Sequence, residues 1–202
     1  MYAYIKGTVV VRHLDSLVVD HQGIGYRLMS SPGLLNRFPA VGETVTVHTY
    51  LYVREDQMAL YGFPDAEDLQ MFELLLTVSG IGPKVASTIV GTLSPSQFAL
   101  AVISGDVKAL VQVKGIGRKG AERLILELKD KLKGVDLPEQ DTVGALAGDA
   151  SGAAGNDAIS ALVVLGYSGT EAARAVAAVD QEQAGSLEAV IRLALRQLMR
   201  PI

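Results

Sequence analysis

Residues 75–86 read Leu75-Leu76-Thr77-Val78-Ser79-Gly80-Ile81-Gly82-Pro83-Lys84-Val85-Ala86. They return 35 positions later as Leu110-Val111-Gln112-Val113-Lys114-Gly115-Ile116-Gly117-Arg118-Lys119-Gly120-Ala121. The shared skeleton is Leu-x-x-Val-x-Gly-Ile-Gly-x-Lys-x-Ala. Each copy predicts a helix end, a tight turn whose two glycines flank an inward isoleucine, and a new helix carrying a lysine. Glycine tolerates positive φ and lets bare backbone come close to another molecule. A helix starting just after Gly82 or Gly117 leaves its first N–H groups without intrahelical partners. With the positive end of the helix dipole, those donors make an anion seat. Pro83 suits the first helical position because it has no N–H to orphan. Lys84 and Lys119 add a mobile positive charge at matching places. One such turn seats one phosphate; a pair grips a phosphate backbone at two points.

The duplicated unit resembles the helix-hairpin-helix, a module that holds DNA by its phosphates without reading bases, since phosphate contacts position a protein but carry no sequence information. On that resemblance Ser79, Gly80, Ile81, Gly82, Lys84, Lys114, Gly115, Ile116, Gly117, Arg118, Lys119 and Arg123 are the candidate DNA-binding residues. The surrounding segment, 64–134, reads as helical throughout. Asp65 is placed to cap a helix with Leu69, Phe72, Leu75 and Leu76 on one face. Ser94-Pro95-Ser96-Gln97 opens another with a capping box. Asp106 caps a short helix before the second turn, and the last helix ends near Gly134.

Residues 1–63 read as β structure. Tyr2–Val11, Ser16–His21 and Gly25–Ser30 are rich in Val, Ile, Leu and Tyr and are separated by turn residues. Ser31 and Pro32 predict a short helix, with Ser31 as its cap. A long strand follows with Val45, Val47, Leu51 and Val53 on one face, and Gln57–Phe63 is its hairpin partner. Five strands with a helix between the third and fourth fit an OB-type barrel. The tip of the last hairpin is Arg54-Glu55-Asp56. Two carboxylates there are either an ordinary solvated turn or a pin that repels phosphates. Unit charges about 7 Å apart repel by only about 0.6 kcal/mol in water and about 2.4 kcal/mol at an effective dielectric near 20, so several pins around one point are needed to hold strands apart.

From 135 to 156 Asp, Pro, Gly, Ala and Ser dominate without periodicity, which reads as a flexible linker. Residues 157–202 predict a three-helix bundle, with helices at Asp157–Leu165, Thr170–Val179 and Leu187–Met199, the second opened by a Ser168/Glu171 capping box. The fold class is thus α+β and multidomain: barrel, tandem hairpins, linker and bundle. The net charge of −4 is unevenly spread. Basic side chains gather at Lys114, Arg118, Lys119, Arg123, Lys129, Lys131 and Lys133, and the acidity sits in the last third. Local clustering governs attraction to DNA more than the total does. There is no cysteine, so disulfides and thiolate metal sites are excluded. The three histidines have no metal-ligand spacing, and no catalytic residue, metal site or cofactor is expected. No apolar run is long enough to span a membrane and no secretory leader is visible, so a cytoplasmic protein is expected.

Taken together, the paired hairpins, the Arg54-Glu55-Asp56 tip and the opening Met1-x-x-Tyr4-Ile5-x-Gly7 resemble the RuvA family of bacterial DNA-junction proteins along the whole chain. The resemblance implies a homotetramer, able to pair into an octamer, that binds the four-way Holliday junction on a square platform. It implies that Glu55 and Asp56 are the family's acidic pin at the junction centre. It implies a C-terminal bundle that engages the hexameric ATPase RuvB, for which Leu162, Leu165 and Tyr167 are the candidate contacts. The chain carries no Gly-x-x-x-x-Gly-Lys-[Ser/Thr] phosphate loop, so ATP hydrolysis belongs to a partner. Two other readings stand beside this one. In the first, the chain is a nuclease or glycosylase, although Asp130 lies in a lysine-rich helix end rather than in a Gly/Pro-rich segment. In the second, it is a protein adaptor whose hairpins are only structural.

Overall fold

The structure is a computed structural model that describes residues 2–133, 153–179 and 184–198. It divides into two compact units. One comprises the residues up to Thr77 together with Ile81–Thr92; the other comprises Val78–Gly80 together with the residues from Leu93 onward.

In the first unit five strands close a barrel in the order β1-β2-β3-β5-β4: β1 (Tyr4–Arg12), β2 (Ser16–His21), β3 (Ile24–Met29), β4 (Thr44–Val53) and β5 (Met58–Phe63). Neighbours are antiparallel except β3 and β5, which meet in parallel at Met29 and Tyr61. The period of two sends Ile5, Val9, Leu17, Val19, Leu28 and Val47 inward. Helix α1 (Pro32–Leu35) and the residues after it plug the barrel with Leu35 and Phe38. Val53, expected on the apolar face of β4, is instead 58% exposed, because the β4–β5 hairpin runs on past the barrel core.

Helix α2 (Ala66–Leu76) joins the barrel through Phe72, whose ring lies 5.4, 5.3 and 4.7 Å from those of Tyr50, Tyr61 and Phe63. Its buried face is Asp68, Met71, Phe72 and Leu75, rotated from the expected one, which had Leu69 and Leu76. An ion pair accompanies the rotation and accounts for the buried aspartate. Arg37 donates to both oxygens of the buried Asp68, at 3.0 and 2.7 Å, and to Asp65 at 2.6 Å. Asp65 does stand at the N-cap position, but its carboxylate serves Arg37 rather than the helix amides.

A similar correction applies to Ser31, which precedes α1 without capping it. Its N–H donates to Ser87 Oγ (3.1 Å) and its hydroxyl to the Ser87 carbonyl (2.8 Å), which ties α1 to helix α3 (Pro83–Thr92). Gly33 and Gly91 lie at this contact without room for a side chain. A Cβ on Gly33 would meet the Gly91 carbonyl oxygen at 2.0 Å, and one on Gly91 would meet Ser31 Oγ at 2.2 Å.

The second unit holds α4 (Pro95–Ser104), α5 (Val107–Val111), α6 (Arg118–Lys133), α7 (Ala153–Val164), α8 (Gly169–Ala177) and α9 (Leu187–Leu198). The predicted caps are present. Ser94 and Gln97 form a reciprocal box, as do Ser168 and Glu171, and Asp106 accepts from the Ala109 N–H. Helix α7 begins at Ala153, so the last four residues assigned to the linker are helical; residues 135–152, and the predicted stop at Gly134, lie outside the described residues. The three C-terminal helices bury Ala158, Ala161, Leu162, Leu165, Ala172, Val176, Ile191, Ala194 and Leu195. Helices α7 and α9 also pack on α4, and α7 touches α6. The sequence explains why: Phe98-Ala99-Leu100-Ala101-Val102-Ile103 is apolar all round the helix, and such a helix needs cover on more than one side.

Candidate nucleic-acid interface

The two turns share one backbone conformation. Gly80 and Gly115 have φ of 83° and 98°, the left-handed region in which glycine alone is unstrained. The helix after each turn opens with the same bond, Ala86 N–H to the Gly82 carbonyl at 2.9 Å and Ala121 N–H to the Gly117 carbonyl at 3.0 Å. The amides of Lys84 and Val85, and those of Arg118, Lys119 and Gly120, precede those bonds at the helix N-termini. Equivalent residues hold each turn down: Leu75 and Leu110, Val78 and Val113, and Ala86 and Ala121 are all buried. Ile116 is buried and Ile81 half-buried, so the isoleucines anchor the turns and contribute their backbone to the surface.

The charged residues fall outside. Lys84, Lys114, Lys119 and Arg123 are exposed, as are Ser79, Gly80, Gly82, Gly115 and Gly117. Arg118 is exposed but engaged: its Nε donates to Glu122 at 2.8 Å, one turn along α6. The Arg123 guanidinium approaches Gly80, within 3.6 Å of where a Cβ would stand, and Glu127 of α6 accepts the Ser79 N–H at 3.0 Å. Glu127 was not a sequence candidate. Its position on the helix face of Arg123, four residues on, was the only available signal.

At the other candidate site, Glu55 and Asp56 are exposed on a two-residue hairpin turn. Arg54 and Gln57 exchange backbone bonds of 2.8 and 3.4 Å across it, and Val53 faces Met58 just behind. Arg54 is drawn back along the hairpin. Its Nε donates to Tyr52 Oη at 2.9 Å and its guanidinium lies 5.5 Å from that ring's centre, which leaves the two carboxylates as the tip. The exposed apolar pair Val53 and Met58 is the part of this hairpin that its charge pattern did not announce.

Two of the three candidate motor contacts are core residues. Leu162 and Leu165 are 0% and 3% exposed, because their apolar side chains form the bundle core. Tyr167 is half-buried after Gly166, whose φ is 99°. Among the described residues no three His, Asp or Glu side chains come together as a metal site would require, and no single described helix is long and apolar enough to cross a membrane.

Residues 1–62 match the RuvA N-terminal domain, residues 72–130 a SAM-like helix-hairpin-helix tandem, and residues 153–199 the RuvA C-terminal domain. The Holliday junction branch migration complex subunit RuvA of Acetivibrio thermocellus is 47% identical over 203 residues, spanning the whole of both chains. The chain belongs to the RuvA family. Other RuvA relatives are equally full-length: the subunits of Ruminiclostridium cellulolyticum and Symbiobacterium thermophilum are each 45% identical, cover 98% and 99% of this chain, and are themselves matched in full. The three RuvA and hairpin matches fall on the barrel, the paired turns and the C-terminal bundle in the order in which the structure presents them.

Proposed function

We propose that this protein binds four-way Holliday junction DNA through its phosphates, as the non-catalytic subunit of a branch migration complex whose motor is the RuvB ATPase. The observation that carries this reading is the repetition of one backbone conformation at Gly80 and Gly115, each followed by a helix N-terminus and an exposed lysine. Two seats of the same geometry suit two phosphates of one backbone. The names of the full-length relatives support the same assignment. The proposed DNA contacts are the amides of the two turns with Lys84, Lys114, Arg118, Lys119 and Arg123. Glu55 and Asp56 form the pin, held at the tip of the two-strand β4–β5 projection. The reading includes a homotetramer, or an octamer on DNA, acting in the cytoplasm, and a C-terminal bundle that engages the motor through exposed faces rather than through Leu162 and Leu165.

A gel shift comparing a four-way junction with linear duplex over a salt series tests it. Junction affinity should exceed duplex affinity and fall steeply with salt, with a log–log slope of about −0.9 for each phosphate neutralised. A flat salt response would return the hairpins to a structural role. Cleavage of the junction by the isolated chain in Mg²⁺ would favour the nuclease reading instead.

A further inference from the structure

Helix α6 grows out of the second turn and touches the first. Arg123 and Glu127 lie four residues apart on one face of it. Arg123 covers Gly80, and Glu127 accepts the Ser79 N–H. The repeat allows an internal comparison. Thirty-five residues earlier, on α3, the corresponding positions are Thr88 and Thr92, whose hydroxyls donate to Lys84 and Thr88 carbonyls of their own helix. The contact therefore runs in one direction only. A carboxylate beside a phosphate-gripping turn is also electrostatically costly for a DNA-binding surface.

We infer that Glu127, with Arg123 beside it, is a positioning residue: it pins the Ser79–Gly80 half of the first turn to the helix that leaves the second. The Ser79–Gly80 segment of the turn is thereby ordered before DNA arrives. This rests on the junction-binding function proposed above. Preorganisation of this kind raises affinity by removing the cost of ordering the turn on binding.

The sign of one substitution decides it. Charge alone predicts that Glu127→Ala strengthens DNA binding, since a negative group leaves the surface. The brace predicts a loss of roughly three- to tenfold in junction affinity, the effect of about one net hydrogen bond. Glu127→Gln keeps an acceptor for the Ser79 N–H and should bind within about twofold of wild type. Amide exchange on the full-length protein without DNA supplies the second readout: Ser79 should exchange faster in Glu127→Ala and near the wild-type rate in Glu127→Gln. Unchanged or tighter junction binding by Glu127→Ala overturns the proposal, as does an unaltered Ser79 exchange rate. If wild-type protein does not prefer junctions, the functional reading fails, and the positioning role with it, whereas the exchange data still report whether the brace exists.

Discussion

At Gly33 and Gly91 two backbones touch, and a methyl group on either has nowhere to go. The two positions should not respond alike. Gly33→Ala would drive a Cβ into a carbonyl oxygen, whereas Gly91→Ala meets a hydroxyl that can rotate away by giving up its bond to Ser87. Both should destabilise, within the ~1–3 kcal/mol typical of overpacking, with Gly33→Ala the worse by thermal denaturation. Arg37 is a second case. It neutralises Asp68, which is 1% exposed, while itself remaining 41% exposed. Burial pushes the Asp68 carboxyl up from its ordinary value, and the bonds from Arg37 pull against that shift. Arg37→Ala should cost about 2–4 kcal/mol in denaturant unfolding; the half-solvated arginine places the loss toward the lower part of the range for breaking a buried pair. Neither pair was legible in the sequence. Each joins residues more than thirty positions apart, and neither a glycine within a helix nor an arginine in a turn announces its distant partner. The turn glycines were legible because repetition marked them.

Among the elements, local chemistry was read well where it is local. The capping boxes at Ser94 and Ser168 are present, because such a cap needs only residues three apart. Ser31 and Asp65 occupy cap positions but give their side chains to Ser87 and Arg37, partners that no local pattern contains. The Ser168 box predicts a pH dependence. Bonds from the Ser168 hydroxyl and backbone hold the Glu171 carboxyl below the ordinary glutamate range. A folded value below the unfolded one means that the cap's contribution is present above about pH 4.3 and is lost as pH falls through the folded value. A carboxyl-carbon NMR titration should show Glu171 titrating low. Glu171→Gln, which retains an acceptor, should remove that part of the acid dependence of helix α8 while leaving the helix formed at neutral pH.

Across the whole molecule, the barrel, the tandem turns and the C-terminal bundle were each foreseen with their order in the chain, since strand alternation, the repeat and helical periodicity are one-dimensional signals. The packing of the bundle on α4 was not, although the unbroken apolar run from Phe98 to Ile103 held the clue. Leu162 and Leu165, the candidate motor contacts, lie in the core for a related reason: in a bundle this small, large aliphatic side chains are needed inside. Discrimination between DNA forms belongs at this scale, because one pin alone exerts little force. Replacing Glu55 and Asp56 by Gln and Asn should strengthen linear-duplex binding by roughly three- to tenfold and junction binding by less, as measured by competition at one salt concentration. Equal gains on both would show that the carboxylates repel DNA in general and do not select its branched form.

The β4–β5 projection has one further consequence. Because Val53 stands opposite Met58 and only Glu55 and Asp56 close the loop, adding a single amino acid would leave one strand out of step with the other and turn alternate side chains to the opposite side. Unless a bulge like the irregularity between Val9 and Val11 absorbs the extra residue, the projection lengthens or shortens in whole steps, one residue on each strand. Its reach is set in increments of about 3.4 Å, roughly the spacing of stacked bases along one strand of DNA.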